Sequence, residues 1–563
     1  MIHFYSRISF LVICLLAVAC PACLAQAQPA SNGVLWTAPS LDPEKIMEHI
    51  RILASDQFEG RAPGTNGEIK TVAYLTQQLR QIGLKPGNPD GTYIQKVPLV
   101  GITVNNNPTL QIEKGAQRLA LKWRDDFVAW TKQVKKKTTL AHSALIFAGY
   151  GIRAPEFQWD DFKGVDLRGK TIVVLIGDPP LTDPQDRSRL DPALFGGKAM
   201  TYYGRWTYKY EMGAKLGAAG VLIVHETEPA GYPFAVVQGK TAEQFDLFSP
   251  DKNKGRVAVE GWITKEKAEQ LFALCGKDFE TLKKQALDRN FAPIPLQATV
   301  SLALSNSIRT VSSNNVIGKV EGRNAAKSEE FVMYTAHWDH FGIGVPVNGD
   351  KIYNGALDNA SGVAGTLELA RAFAGLKPPL QRTVLFLFVT AEEQGLLGSG
   401  FYAGSPLYPL AQTAAVINID GLNLSGKTRD AIVVGLGLSE LDDTMQKAAA
   451  QQGRTVLGDP TPEKGSYYRS DHFPFAKQGV PAINPGGGID YIGKPAGWGL
   501  KIRQEFTANH YHKPSDEIRP DWTLDGAQDD LSLYFMVGMQ AAQAEKMPEW
   551  KEGAEFKSKR KTP

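Results

Sequence analysis

The chain has 563 residues, of which 43% are apolar and 21% charged, and its formal net charge is +3. These proportions are those of an ordinary soluble protein, so they exclude a disordered main body. The nearly balanced charge is spread along the chain and gives no reason to expect a nucleic-acid partner. A chain of this length is too long for one hydrophobic core, and about two or three domains are expected.

The N-terminal residues are typical of a targeting segment. Arg7 precedes an apolar stretch over residues 8–19, and Ala25-Gln26-Ala27 offers small side chains for cleavage. The stretch is shorter than the roughly 20 residues that a membrane-spanning helix needs. We therefore expect a signal peptide over residues 1–27 and an exported protein, periplasmic or secreted, without a stable membrane span. The alternative is a lipid anchor on Cys20, although a leucine is usual three positions before such a cysteine.

Cysteine usage indicates how the mature protein is stabilised. Cys14, Cys20 and Cys23 all lie in the leader, so cleavage after Ala27 would leave Cys275 alone. The mature protein is then expected to have no internal disulfide, and its stability must come from its cores.

The pattern of apolar residues divides the remaining chain into three regions. Helical spacing predicts two helices between residues 41 and 84, and short apolar runs predict a strand-rich region from 99 to 305. After residue 306 strands and helices alternate, which indicates a middle domain inserted into a larger α/β domain. The predicted segments are 36–98 (first part of the α/β domain), 99–305 (inserted domain), 306–546 (second part) and 547–563 (a basic, solvated tail).

Three apolar runs in the second part each end at an acidic or imidazole side chain. They are residues 331–336 before His337, residues 383–390 before Ala391-Glu392-Glu393, and residues 414–419 before Asp420. Such runs predict buried strands, and if the strands are parallel their carboxyl ends lie side by side at one sheet edge. Together with Asp358 and His512, these side chains form the ligand set of a two-metal hydrolase.

Imidazole and carboxylate ligands suit zinc, and one carboxylate can bridge two ions about 3.5 to 4 Å apart. The near absence of cysteine excludes a thiolate site. Asp358 stands just before a helical run, where it could bind metal or act only as a helix cap. We favour the metal because the other ligand types accompany it.

Glu392 and Glu393 are adjacent carboxylates at the end of an apolar strand, an arrangement that is costly unless a cation or a proton compensates. One can bind an ion while the other accepts a proton from metal-activated water. A solvated acidic loop is the alternative for an isolated pair. Asp339 is suited to hold the His337 imidazole from behind. Three further histidines compete as ligands because spacing alone does not exclude them: His340, His472 and His510.

The order of these segments resembles that of the di-zinc exopeptidases of metallopeptidase family 28. This family includes leucyl aminopeptidases and glutamate carboxypeptidases, and the chain is most similar to members with an inserted protease-associated domain. The resemblance rests on residues 60–64, 335–339, 355–362, 391–395, 417–420, 470–472 and 511–516. None of these segments is decisive alone, and their order makes the match specific.

The resemblance implies an α/β fold with a mixed, largely parallel sheet flanked by helices, and two Zn²⁺ ions. It places His337 and Asp420 at one ion, Glu393 and His512 at the other, and Asp358 between them. It assigns the general base to Glu392, the orientation of His337 to Asp339, and a hydrogen bond to the oxyanion to Tyr511. A packed aromatic ring is the alternative for Tyr511. Segments within residues 147–224 are similar to protease-associated domains.

The function implied is that of an exported zinc-dependent exopeptidase acting on peptides, in the first place an aminopeptidase that uses metal-activated water. A carboxypeptidase of the glutamate carboxypeptidase type is the alternative, because Lys464 and Arg469 could form a basic pocket before Ser470. A non-catalytic binding module and a one-zinc cyclase are further alternatives, and the complete ligand set argues against both. The sequence does not indicate an oligomeric state.

Overall fold

The structure is a computed structural model that describes residues 38–239, 243–377 and 379–561. The expected signal peptide lies outside the described residues. Within these ranges, no helix combines the length and the apolar character that crossing a membrane requires.

Helices and strands alternate along the described chain. The helices are α1 (Pro43–Leu53), α2 (Asn66–Ile82), α3 (Trp206–Lys215), α4 (Thr227–Ala230), α5 (Phe234–Gly239), α6 (Lys265–Leu274), α7 (Phe279–Gln285), α8 (Gly362–Ala374), α9 (Leu397–Gly404), α10 (Glu440–Gln451), α11 (His472–Lys477), α12 (Trp498–Asn509) and α13 (Asp525–Gln543). The strands are β1 (Lys85–Pro86), β2 (Ile94–Val104), β3 (Thr109–Lys114), β4 (Gln117–Lys122), β5 (Phe127–Trp130), β6 (Lys137–Phe147), β7 (Arg153–Ala154), β8 (Trp159–Asp160), β9 (Thr171–Leu175), β10 (Gly220–His225), β11 (Gln244–Leu247), β12 (Val259–Thr264), β13 (Ile294–Val320), β14 (Phe331–His337), β15 (Gly342–Val347), β16 (Asp350–Tyr353), β17 (Thr383–Val389), β18 (Thr413–Asn418), β19 (Asp430–Val434), β20 (Thr455–Gly458) and β21 (Ala482–Gly487).

The centre of the sheet is parallel. Strand β14 lies between β17 and β18 and runs parallel to both, and β21 continues the parallel order beyond β18. Strands β13 and β19 flank this group in the antiparallel sense, so the sheet is mixed and largely parallel. Every residue of β14, β17 and β18 is buried, which explains why they form continuous apolar runs in the sequence. The expected parallel arrangement of these three strands is confirmed.

Helices pack against the central strands. Helices α8 and α13 contact β14, and the Tyr334 hydroxyl of β14 donates to the main-chain carbonyl of Tyr534 in α13, 2.7 Å away. Helix α1 packs against α8 with its predicted apolar stripe, since Ile46, Ile50 and Leu53 are buried. Its first turn is fixed by the Asp42 carboxylate, which accepts the free N–H groups at the helix start.

The middle region, residues 99–305, has its own group of strands. Strands β6, β9, β10 and β12 are parallel neighbours, and β3, β4 and β5 complete the group in the antiparallel sense. The long strand β13 pairs with β6 in its first part and with β2 and β17 in its last part. Strands β2 and β13 thus run through both predicted junctions as a two-stranded ribbon. The predicted domain boundaries themselves stay predictions.

The basic C-terminal segment is held to the rest of the described chain by two buried aromatic residues. Trp550 is 3% exposed, and its indole N–H donates to the carbonyl of Gly479, 2.8 Å away. Phe556 is also buried, and Arg560 donates to the carbonyl of Thr413 at 2.9 Å. Lys557, Lys559 and Lys561 are themselves exposed, whereas Trp550 and Phe556 are buried and anchor the segment. Cys275 is buried and free.

Candidate metal centre

The predicted ligands come from five separate places in the chain. His337 is the last residue of β14, Glu393 follows β17, and Asp420 follows β18. Asp358 lies in a turn between β16 and α8, and His512 lies between α12 and α13. Because β14, β17 and β18 are parallel, their carboxyl ends bring the first three side chains to one edge of the sheet.

Asp358 joins two pairs of ligands. Its Oδ1 lies 3.2 Å from His337 Nε2, which is also 3.2 Å from Asp420 Oδ1. Its Oδ2 lies 3.3 Å from His512 Nε2, which is 3.1 Å from Glu393 Oε2. The structure therefore brings together all five predicted ligands, with one carboxylate oxygen of Asp358 turned towards each pair.

These separations fit metal binding. Oxygen and nitrogen ligands about 2.0 to 2.2 Å from a tetrahedral ion are roughly 3.3 to 3.5 Å from one another. The distances from His337 to Asp358 and Asp420, and from His512 to Asp358 and Glu393, are close to that range. Ligand atoms of His337, Asp358 and Asp420 lie within 4.8 Å of one another, as do those of His340, Asp358 and Glu393. Imidazole nitrogen and carboxylate oxygen are both ligands that zinc accepts. The donor set and its spacing therefore suit a pair of zinc ions.

The electrostatics of the cluster also call for cations. Burial opposes the charge on His512, but the Glu393 charge and a hydrogen bond to Asp358 raise its pKa to about 10. Burial likewise acts against the charge on Glu393, yet the charge of His512 lowers the pKa of this carboxyl to about 2. Protons on the imidazoles thus balance the carboxylates in the metal-free chain. Metal binding would release those protons.

Glu392 lies beside the first ligand pair. Its carboxylate belongs to a group with His337 and Glu393 whose ligand atoms all lie within 4.8 Å of one another. Burial raises the pKa of Glu392 well above its usual range, with the Glu393 charge adding to the shift and the His337 charge opposing it. A carboxylate in this place can exchange protons with a group held by the neighbouring ligands.

Asp339 supports the site differently from the prediction. The His337 Nδ1 lies 3.1 Å from the main-chain carbonyl of Asp339, whereas the nearer carboxylate oxygen is 3.9 Å away. That carboxylate oxygen, Oδ1, instead accepts the main-chain N–H of Glu392 at 3.0 Å. Asp339 thus holds the His337 ring through its backbone and fixes the loop that carries Glu392 through its side chain.

Tyr511 sits at the mouth of the site. Its ring stacks on that of His512, with centroids 3.6 Å apart, and its side chain is 44% exposed. Within the described chain, its hydroxyl has no hydrogen bond. The predicted contact with an oxyanion stays a prediction.

The three competing histidines separate clearly. His340 is fully buried, and its Nδ1 lies 2.6 Å from Glu393 Oε1 without the angle of a hydrogen bond, so it belongs to the cluster. His472 packs edge-on against the Tyr467 ring, 4.7 Å between centroids, and does not join the ligand groups found. His510 faces the carbonyl of Ser515 at 3.0 Å. His340 is therefore either a further candidate ligand or a side chain that supports Glu393.

Arg61 is a buried support that lies within residues 60–64, one of the segments that carry the resemblance. Its guanidinium donates to the carbonyls of Trp338 (2.9 Å), Asn354 (2.6 Å) and Gly355 (2.9 Å), in the two loops that follow His337 and precede Asp358. Burial lowers its pKa to about 10, with the nearby acidic side chains opposing the shift. One arginine therefore ties together the loops that supply two ligands.

Two more supports hold the ligands from behind. The Asp516 carboxylate accepts the main-chain N–H groups of Leu357 and Asp358, each at 3.0 Å. The Ser470 hydroxyl donates to Asp420 Oδ2 at 2.5 Å. Both residues lie in segments that carry the family resemblance, but nothing in their spacing showed which ligand they would contact. The order of their motifs was the only available signal.

Fold and cluster together define an α/β protein with a group of histidines and carboxylates, suited to hold metal ions, at the carboxyl edge of a largely parallel sheet. Residues 315–536 match the model of the family described as Peptidase family M28. This match agrees with the family resemblance of the sequence. No finding confirms the protease-associated character of the middle region.

Relatives of known name match parts of the chain. Aminopeptidase YwaD of Bacillus subtilis (strain 168) is 30% identical over 210 residues, which are 37% of this chain and 40% of that protein. A probable zinc metalloprotease of Pyrenophora tritici-repentis (strain Pt-1C-BFP) is 48% identical over 66 residues, 12% of this chain and 15% of that one. The chain thus spans less than half the length of both relatives.

A solved structure, an aminopeptidase from Aneurinibacillus sp. strain AM-1, is similar over 90% of this chain and 95% of its own. Its sequence identity is 21% and its TM-score is 0.49.

Proposed function

We propose that the chain is a di-zinc exopeptidase that hydrolyses the N-terminal peptide bond of peptides. The observation that carries this proposal is the position of Asp358, whose two carboxylate oxygens face His337 with Asp420 on one side and His512 with Glu393 on the other. The match to the model of Peptidase family M28 and the names of the partial relatives support it.

Zinc ions bound in this cluster would supply a lowered pKa for water and polarisation of the scissile carbonyl. The role of the protein's own residues would be to hold the ions and to move protons. His337 and Asp420 would hold one ion, Glu393 and His512 would hold the other, and Asp358 would contact both. The Glu392 carboxylate accepts a proton from the attacking water and delivers it to the leaving amine nitrogen.

Release of N-terminal residues follows from the charge of the same site. A free α-amine carries a positive charge, and Glu392 and Asp420 offer carboxylate oxygens beside the proposed metal positions. Arg469 favours a second candidate, a carboxypeptidase, because a cation just before Ser470 could bind a free carboxylate. Assays of aminoacyl anilides beside N-blocked dipeptides separate the two, since an aminopeptidase cleaves only the first set.

Exchange of Glu392 for Gln tests the proposed proton transfer. We expect kcat to fall by about 10²- to 10⁴-fold, the usual contribution of a general base. Zinc content, measured by elemental analysis of the purified protein, should stay at two ions per chain. The neighbouring change Glu393→Gln is the matched control, and we expect it to lose zinc as well as activity. A Glu392→Gln protein with the wild-type rate, or without zinc, contradicts the assignment.

Export and the role of the middle region complete the proposal. The leader motif around Ala25-Gln26-Ala27 supports cleavage and export to the periplasm or the medium. Mass spectrometry of the protein from cells should find an N-terminus near Gln28. The middle region, similar in sequence to protease-associated domains, is proposed to shape access to the metal centre.

A further inference from the structure

Arg205 and Arg469 both lie where the middle region contacts the C-terminal part of the chain. Arg205 lies directly before α3, and Arg469 lies directly before Ser470. The guanidinium of Arg469 is 5.6 Å from the centre of the Tyr232 ring, and the Arg205 side chain packs on Gly465. The seam is closed by the main-chain N–H of Met200, which donates to the carbonyl of Pro462 at 3.1 Å.

Neither guanidinium has a partner among the described residues. Arg205 is 7% exposed, and its buried Nε has no hydrogen bond. In Arg469 both Nε and Nη2 are buried and without a hydrogen bond. Within the same ranges no carboxylate lies at ion-pair distance from either side chain. Each guanidinium has five N–H donors. The group that lies against the Arg469 guanidinium is the face of the Tyr232 ring, not an acceptor.

Other buried arginines of this protein have an acceptor for at least part of the guanidinium. Arg382 pairs with Glu330 at 2.6 Å, Arg454 pairs with Asp530 at 2.5 Å, and Arg61 donates to main-chain carbonyls. By contrast, burial lowers the pKa of Arg205 to about 10, and the charge of Arg469 lowers it further rather than relieving it. Arg205 is thus a buried charge without a counter-ion, and Arg469, which is partly exposed, has buried Nε and Nη2 atoms that also lack an acceptor. Such an arrangement is costly. Such a pair indicates that an anion completes the site.

The position of the two arginines in the chain limits the kinds of anion that could bind to them. Arg469 is bonded to Ser470, whose hydroxyl donates to the ligand Asp420. A planar guanidinium matches a carboxylate through two parallel hydrogen bonds. We propose that Arg205 and Arg469 form a subsite for the free C-terminal carboxylate of a short peptide whose N-terminal end lies at the metal centre. This inference rests on the proposed exopeptidase function and adds a limit on substrate length.

Matched peptides test the subsite without any mutation. Leu-Gly-Gly as the free acid is compared with the same peptide as the C-terminal amide, in KM for the wild-type protein. We expect KM for the acid to be lower by about 10- to 100-fold, the range of hydrogen bonds to a charged group. Equal KM values for acid and amide overturn the proposal.

Variants assign the preference to the two arginines. Arg469→Gln and Arg205→Gln should each bring the acid-to-amide ratio of KM towards one. The matched control is Arg168→Gln, which removes the same charge from an exposed arginine paired with Asp166 in the middle region. Should the glutamine variants not fold, Arg469→Lys keeps the charge and loses the planar fork, and the acid-to-amide ratio of KM should still rise towards one. Variants that retain the wild-type ratio refute the assignment and leave the arginines as a structural seam.

Binding measured apart from turnover separates this inference from the proposed function. Titration calorimetry with the Glu392→Gln protein should give tighter binding of the acid peptide than of the amide. If no peptide is hydrolysed but the acid still binds more tightly, the exopeptidase function fails and the carboxylate subsite stands. Inorganic phosphate serves as a second probe in thermal unfolding. Stabilisation by phosphate that depends on Arg469, together with equal binding of acid and amide, identifies a site for a free anion and overturns the peptide assignment.

Discussion

The protein buries two groups of charged side chains that are built on opposite plans. The metal-centre cluster consists of His337, Asp358, Glu392, Glu393, Asp420 and His512. The middle-region cluster consists of Lys209, Asp161 and Asp178. In the second cluster, the ammonium of Lys209 donates to the carbonyls of Tyr150 and Gly177, at 2.5 and 3.2 Å. Each aspartate of that cluster accepts hydrogen bonds from neighbouring N–H or hydroxyl groups.

The difference shows how a structural charge cluster can be distinguished from a binding site. Burial lowers the pKa of Lys209 to about 8, and burial raises those of Asp161 and Asp178 to about 6, so each group moves towards its neutral form. In the metal-centre cluster, His512 and Glu393 are instead held charged against one another, and of these three groups Glu392 alone shifts towards its neutral form. The first arrangement is complete in itself, whereas the second is suited to receive cations.

The largest effect expected from this comparison follows Asp358→Asn. Because this carboxylate faces both ligand pairs, its loss should remove both zinc ions. Activity should fall by at least about 10³-fold, at or beyond what removing one electrostatic stabiliser usually costs. Zinc per chain and the peptidase rate check the outcome. In addition, zinc at about 100 times its Kd should stabilise the wild-type fold by roughly 3 kcal/mol and leave the variant unchanged.

Asp178→Asn in the middle-region cluster is the matched control for this change. It removes the same charge from a buried aspartate, and we expect two zinc ions to remain. Loss of zinc in Asp178→Asn, or its full retention in Asp358→Asn, would show that the two clusters do not differ in the way described.

Lys209→Met is the converse change, because it removes the cation of the complete cluster. Two carbonyls lose their donor and two buried aspartates lose the nearby positive charge, which costs about 3 to 5 kcal/mol in the free energy of unfolding. Urea unfolding at pH 7 measures the loss. Added zinc should not restore stability, in contrast to its effect on the metal centre.

The pH dependence of that loss has a fixed sign. With a pKa near 6 in the folded chain against about 4 in the unfolded chain, Asp161 and Asp178 hold protons that unfolding releases. Their contribution to stability therefore decreases as pH rises through this window. The destabilisation in Lys209→Met should be smaller at pH 5 than at pH 8, and the reverse order would exclude a charge effect.

The sequence was sufficient to predict the fold around the metal centre. Residues 331–336, 383–390 and 414–419 are mostly apolar, because the central strands are buried along their whole length, and each run ends close to a ligand. The parallel order then brings His337, Glu393 and Asp420 together without further information. What local pattern could not provide was contact between residues distant in the chain.

The supports of the site illustrate that limit. In the sequence, Arg61 is only one member of the glycine- and proline-containing segment 60–64. In the structure, its guanidinium donates to carbonyls that lie 277 to 294 positions further along the chain. Asp339 was expected to face His337 with its carboxylate, and the loop geometry presents its carbonyl instead. The C-terminal lysines predicted a solvated tail, and the sequence pattern did not show that Trp550 and Phe556 would be buried. In each case the deciding contact is tertiary and leaves no local periodicity.

The smallest expected effect concerns His472, one of the histidines that spacing could not exclude as a ligand. It is fully buried, and burial lowers its pKa to about 3, so it is neutral in the folded chain. The unfolded chain takes up a proton on this ring as pH falls below about 6.5, whereas the folded chain does so only near 3. Stability from this residue is therefore present above pH 6.5 and is lost on acidification, by about 1.4 kcal/mol per pH unit.

His472→Phe should remove this slope without affecting zinc. Urea unfolding of the chelator-treated protein at pH 7 and pH 5 measures it, since the metal-free chain excludes loss of zinc as a cause. We expect the wild-type protein to lose about 2 kcal/mol more than the variant between these two pH values. The exposed His142, changed to Phe, is the control and should keep the wild-type slope. If His472→Phe lost zinc or peptidase activity, this histidine would belong with the metal-centre cluster, and a buried imidazole without a partner would no longer mark a residue that serves packing alone.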